Sequence, residues 1–305
     1  MKVTFWGVRG SIPCPGPQTV KYGGNTISLE CRFEGIDRIF IIDAGSGIRS
    51  LGDHLLGEHR GQKPLHLDLF ITHTHWDHIQ GLPFFGPMYI PETRIRIYGP
   101  ATFEEACLEK ILGAQWAYRY FPKRQQELAA HIEYVNLKEG RFDLGDGIVL
   151  KTKYLNHSLL CLGYRLEYAD RVVCTAYDTE PFQNVFCTDP ADPFYDETMA
   201  AEGMEAAAEE NGRMVDFFCE ADLLIHDAQY TQKEYDEARV GWGHSPIEHA
   251  VAEATRARVK RLALFHHDPK RTDGQMDEFG DLYCTPPHAG PVHVFVAREG
   301  MQITV

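Results

Sequence analysis

Three imidazoles and a carboxylate fall within six residues, in the stretch Thr72-His73-Thr74-His75-Trp76-Asp77-His78. A packed core has no use for such a cluster, since buried imidazoles need partners that Val, Leu or Ile do not. A metal site does need it, because neutral imidazole and carboxylate are the donors that Zn, Mn and Fe accept. The spacing adds direction. His73 and His75 lie two apart in what reads as extended chain, so their side chains lean the same way. Asp77 and His78 follow once the backbone turns, so they can face a second ion. One short loop can then serve two neighbouring cations.

A two-ion site needs more donors than this loop holds. The chain offers them in one repeated context, a polar residue just past an apolar, strand-like run. His157 follows residues 149–155, Asp178 follows 171–176, and His266 follows 261–265 with His267 as its rival. His54, His59, His66, His131, His249, His288 and His293 lack that context and read as surface or packing residues. Strand ends of this kind can open onto one edge of a sheet, where α/β folds commonly place ligands.

The positioning elements read as follows. Residues 3–7, 27–33 and 38–42 form strands, the last ending in Asp43-Ala44-Gly45-Ser46-Gly47, and a helix spans 48–56. Residues 65–71 are the strand feeding the metal loop. A strand over 94–98 and a helix over 102–112 follow. Runs over 132–137, 149–155, 162–168 and 171–176 have the spacing of meandering antiparallel strands. The 180–220 stretch is an acidic insertion with a helix over 197–210, expected to be a lid, a subunit contact or a solvated face. From Glu180 to Glu237 there are sixteen acidic and two basic residues. A helix over 246–258 is expected with Ser245 as N-cap and Pro246 at its first position. Residues 292–297 and 301–305 are expected to close the chain as a hairpin around Arg298-Glu299-Gly300. The pattern implies an α+β protein, mostly antiparallel, with two face-to-face sheets and outer helices, a four-layer αββα sandwich in one domain, 1–305.

The order H-x-H-x-D-H, then a later His, a later Asp and a final His resembles the metallo-β-lactamase superfamily over most of the chain. Gly10-Ser11-Ile12-Pro13, Asn25-Thr26, Asp43-Ala44-Gly45, Leu224-Ile225-His226-Asp227-Ala228 and Gly243-His244-Ser245 make it similar to the phosphodiesterase branch, which includes ribonuclease Z and cyclic-phosphodiesterase-like enzymes. The resemblance implies the metallo-β-lactamase fold and two divalent ions. His73, His75 and His157 would hold one, Asp77, His78 and His266 the other, and Asp178 would bridge them. Zn is the default, and Mn or Fe suit the same donors.

Two cations roughly 3.5–4 Å apart can share a water and lower its pKa, and the resulting hydroxide can attack phosphorus. Asp77 would orient it. The leaving alkoxide needs a proton, for which His244, tuned by Asp227, is the candidate general acid. The expected activity is hydrolysis of a small cyclic or nucleotide phosphodiester. The alternatives are a ribonuclease Z-like tRNA 3′ endonuclease and a lactonase or other ester hydrolase. Iron-dependent redox chemistry and a non-catalytic sensor fit the full donor set less well.

Composition narrows the substrate. The net charge of −14 opposes broad attraction to nucleic acid, although a metal pair would supply local positive charge for a small anion. The apolar runs are strand-sized, too short to span a membrane. Eight scattered cysteines without a C-x-x-C pair read as free thiols. The start of the chain lacks the features of a signal peptide, so a cytoplasmic protein is expected, with a homodimer allowed.

Overall fold

The computed structural model describes residues 1–59, 64–100 and 107–305. The strands are β1 (Lys2–Gly7), β2 (Ser28–Arg32), β3 (Ile39–Ile42), β4 (His66–Phe70), β5 (Arg94–Pro100), β6 (His131–Leu137), β7 (Gly140–Asp143), β8 (Val149–Tyr154), β9 (Leu162–Tyr168), β10 (Arg171–Ala176), β11 (Leu223–Asp227), β12 (Arg261–Phe265), β13 (His293–Val296) and β14 (Gln302–Thr304). The helices are α1 (Ile48–His59), α2 (Trp76–Ile79), α3 (Leu108–Gly113), α4 (Glu197–Phe218), α5 (Gln232–Ala238), α6 (Ile247–Arg256) and α7 (Asp273–Tyr283). The start of the helix expected over 102–112 lies outside the described residues; α3 is the part observed.

Two seven-stranded sheets stack, ordered β14-β1-β2-β3-β4-β5-β6 and β13-β12-β11-β10-β9-β8-β7. Side chains alternate across each strand. In β3, Phe40 and Ile42 enter the core between the sheets, and Ile39 and Ile41 face outward under α1. In β12, Ala263 and Phe265 point inward, whereas Leu262 and Leu264 lie under α6 and α7. With helices on both outer faces the result is the expected αββα sandwich. Strands covered on both sides carry near-continuous apolar sequence, which is why these runs were easy to find.

The expectation of mostly antiparallel strands is corrected. β3 to β6 pair in parallel, as do β10 to β13, and the other six pairs are antiparallel. The terminal hairpin is also absent. Ala297 N–H bonds Leu264 in one sheet, while Met301 O and Gly300 N bond Phe5 in the other. The five-residue link, 297–301, therefore steps between sheets, so that β13 and β14 close opposite layers. Ser245 does not cap α6. Pro246 holds the cap position, and Ser245 Oγ donates to Thr179 O at 2.7 Å.

β10, β11 and β12 run in parallel, and β8 runs with them because both β8 and β10 are antiparallel to β9. Their C-terminal ends therefore share one edge. The ends of β3 and β4 reach the same place from the other sheet.

Candidate metal centre

Each candidate donor leaves a strand at that edge. His73 follows β4 in extended chain, and His75 is still extended, with φ −63° and ψ 152°. The turn into α2 then swings Asp77 and His78 inward, both buried. His157 follows β8, Asp178 follows β10, and His266 follows β12.

Two overlapping groups result. In one, ligand atoms of His73, His75, His157 and Asp178 lie within 4.8 Å of one another; in the other, those of Asp77, His78, Asp178 and His266 do so. His73 Nε2 is 3.0 Å from His75 Nδ1, which is 3.1 Å from His157 Nε2. Asp178 reaches both groups. Its Oδ2 is 3.6 Å from His73 Nε2 and 3.8 Å from His157 Nε2. Its Oδ1 is 3.0 Å from His78 Nε2 and 3.1 Å from His266 Nε2. Asp77 Oδ2 stands 3.4 Å from His78 Nε2 and 3.3 Å from His266 Nε2. His75 is the exposed member, so the site opens to solvent there.

A further ring of contacts sets these orientations. His78 Nδ1 lies 2.7 Å from Asp43 Oδ2, and Asp43 also accepts from Thr72 N and Thr72 Oγ1, each at 2.7 Å. With Nδ1 engaged by a carboxylate, Nε2 is left free for a ligand. His157 Nδ1 is 3.0 Å from Gly243 O, and Ser11 N donates to Asp77 Oδ2 at 2.7 Å. A Cβ on Gly10 would overlap the His266 ring, and one on Gly243, already at φ +78°, would overlap His157. Asp43, Asp178 and His266 have φ of 60°, 46° and 58°, a region that L-residues seldom enter.

The site's field sorts its groups. Burial pushes His73 well below its ordinary value and His157 down to about 4, which leaves both imidazoles neutral. Burial opposes charge on His78 too, but Asp178, Asp77 and Asp43 overcome it and hold the ring well above its usual range. Asp178 is buried, yet His266, His78 and His73 keep its carboxyl well below the carboxylate range.

His244 stands beside the second group, its ring stacked on His266 at 4.8 Å between centroids. Its Nδ1 meets Asp227 Oδ2 at 2.7 Å. Burial alone would lower its pKa, but Asp227 raises it to about 9, which favours the protonated ring. His267 turns away, with Nε2 2.8 Å from Ala297 O. His226 sits behind Asp227, 3.2 Å from Glu253. Sequence reasoning noted Asp43 only as part of a turn and missed Thr72 and Gly243 O. Asp43 carries the same mark as the donors, a carboxylate ending an apolar strand.

The donor set fits divalent cations. His78 Nε2 and Asp178 Oδ1 are fully buried and face each other at 3.0 Å without a well-formed hydrogen bond among the described residues. Orphaned buried polar atoms cost about 1–3 kcal/mol each, more when charged, and a cation between them removes that cost.

No family model matches the chain. A ribonuclease Z of Synechococcus sp. (strain CC9311) is 25% identical, the alignment covering 100% of this chain and 99% of that one. Among solved structures, the metallo-β-lactamase fold protein YhfI of Bacillus subtilis superposes with a TM-score of 0.64 at 17% identity, over 99% of both chains. The short form of human tRNase Z superposes with a TM-score of 0.59 at 22% identity, over 100% of this chain and 99% of that one. Fold and donor set together are those of a metal-dependent hydrolase with the metallo-β-lactamase fold. Among proteins of that fold, the chain is similar to the phosphodiesterase branch that includes ribonuclease Z.

Proposed function

We propose that the chain hydrolyses a small cyclic or nucleotide phosphodiester, using two Zn ions. The observation that carries this reading is Asp178, whose two oxygens face separate donor groups. His73, His75 and His157 would hold one ion and Asp77, His78 and His266 the other, with Asp178 facing both groups. When bound, such a pair supplies Lewis acidity and brings the pKa of a water toward neutrality. Asp77, anchored by Ser11 N, orients the attacking water. His244, protonated and held through Nδ1 by Asp227, presents Nε2 to the leaving alkoxide and donates the proton.

The net charge of −14 favours a small substrate over a long polyanion. The acidic 180–220 segment is assigned to access or subunit contact. It starts at Glu180, whose carboxylate accepts from Gly241 N at 2.9 Å and so steadies the loop that carries His244. Its helix α4 buries Met214 and Phe218 and leaves its acidic face exposed. A cytoplasmic location fits the free cysteines, and no described helix is long and apolar enough to cross a membrane. Ribonuclease Z-like tRNA processing is the second reading, favoured by the full-length relatives.

Metal analysis of purified protein, followed by turnover of bis-p-nitrophenyl phosphate, cyclic nucleotides, lactones and precursor tRNA, decides between them. Two equivalents of Zn and faster cyclic-nucleotide turnover are expected. Tight, salt-sensitive tRNA binding with 3′ cleavage would overturn the small-substrate reading.

A further inference from the structure

Two of the chain's four tryptophans are hidden. Trp116 is buried, and Trp6 is half-buried with Nε1 donating to Glu30 at 2.9 Å. The other two, Trp76 and Trp242, are 68% and 58% exposed. Trp76 lies within the donor loop, and Trp242 lies beside a residue that contacts a donor. Trp76 separates His75 from Asp77, and Trp242 precedes Gly243, whose carbonyl engages His157. His75 and His157 are themselves 3.1 Å apart, so the backbone segments that carry the two indoles border the side on which the site opens. Among the described residues neither indole N–H has a protein partner.

Trp242 is also held in place. The Arg239 guanidinium lies 4.5 Å from its ring centroid and 5.5 Å from that of Tyr230. Tyr230 in turn is 6.1 Å, ring to ring, from His244. One face of the indole is thus backed by a cation, and a positive charge stands at the rim of an otherwise acidic protein. An aromatic surface beside a cation, next to a phosphate-cleaving centre, suits a flat π-system attached to a phosphate.

We propose that Trp76 and Trp242 form a stacking subsite for the nucleobase of the substrate, with Arg239 fixing Trp242. The subsite rests on the phosphodiesterase reading and narrows its substrate class to nucleotides. The indoles touch the base and not the reacting atoms, so they set binding and leave the chemistry to the donor cluster.

The test is equilibrium binding, which needs no turnover. AMP and ribose 5-phosphate, identical but for the base, are titrated into the Zn-loaded protein and followed by tryptophan fluorescence and calorimetry. The wild type should bind AMP at least about tenfold more tightly and show quenching with AMP alone. W76A and W242A should each shrink that ratio, the double variant should bring it near one, and W76F and W242F should largely restore it. Equal affinity of the wild type for both ligands would overturn the subsite. So would an undiminished ratio in a double variant of unchanged melting temperature. A wild type that self-associates through these indoles, with AMP failing to compete, would overturn it as well. Hydrolysis of bis-p-nitrophenyl phosphate is scored separately: its absence alongside intact base discrimination sinks the phosphodiesterase reading and spares the subsite.

Discussion

Asp68 and Asp178 are both buried carboxylates in parallel-strand regions, at 1% and 2% exposure, but one lies within a strand and the other just past a strand end. Asp68 is the middle residue of β4 and is satisfied by the protein itself. Arg96 donates to it twice, at 2.9 and 3.2 Å, and Arg38 adds a third contact at 3.0 Å. Asp178 lies just beyond β10 among imidazoles, and one of its oxygens has no hydrogen bond among the described residues. The first arrangement is complete and can only stabilise. The second is complete only when a cation is added. Self-sufficiency, more than burial, separates a structural carboxylate from a functional one.

The sharpest way to break that contrast is to neutralise each acid in turn. D178N should abolish hydrolysis and lower metal content while leaving the metal-free fold intact, as read by elemental analysis and melting. D68N should do the reverse. Its half-buried arginines lose their counter-charge, costing about 1–3 kcal/mol of stability, with normal turnover per folded molecule. A catalytically dead D68N or a fully active D178N would invert the comparison.

His244 extends it to proton transfer. H244A should lower kcat by roughly 10²–10⁴-fold for alkoxide leaving groups. The loss should be much smaller for p-nitrophenolate, which leaves without a proton. Equal losses would return His244 to a structural role.

Gly243 tests how tightly the first group is held. G243A meets both a left-handed backbone and the His157 ring. Metal affinity should fall by about 10–100-fold, as for other contacts that orient ligands, measured by competition with a chelator.

The smallest effect concerns a buried pair away from the ions. Burial would raise the Glu253 pKa, but hydrogen bonds from His226 and His249 overcome it and hold it at about 2. The folded value is depressed, so its contribution is present above the unfolded value near 4.5 and fades as pH falls toward 2. His226 is raised, despite burial, by Glu253, so its contribution is present below about 6.5 and fades as pH rises through the raised value. E253Q should flatten the pH dependence of melting on both flanks.

Much of the site was legible because its donors share one signature, a polar residue ending an apolar strand. His157, Asp178 and His266 were found that way, and the structure brings them to the His73 loop. Two classes of information were not. Strand direction leaves no mark in a short apolar run, so residues 132–137 read as part of an antiparallel meander, whereas β6 pairs in parallel with β5 in the other sheet. Arg298-Glu299-Gly300 is short enough for a hairpin, and only the stacking of the sheets shows that it bridges layers. Contacts made through backbone atoms, such as Gly243 O to His157 and Ser11 N to Asp77, have no side-chain signature at all.

The left-handed backbone at Asp43, Asp178 and His266 carries a cost that their side chains offset. Each L-residue there costs roughly 1–2 kcal/mol that glycine would not. Glycine at all three positions would relieve that strain and lose more than it gains: Asp43 alone accepts from Thr72 N and Thr72 Oγ1 and faces His78 Nδ1, and each buried partner left unpaired costs about 1–3 kcal/mol. Such a chain should be inert and also melt sooner than the natural one, because the strained side chains hold together the rim they serve.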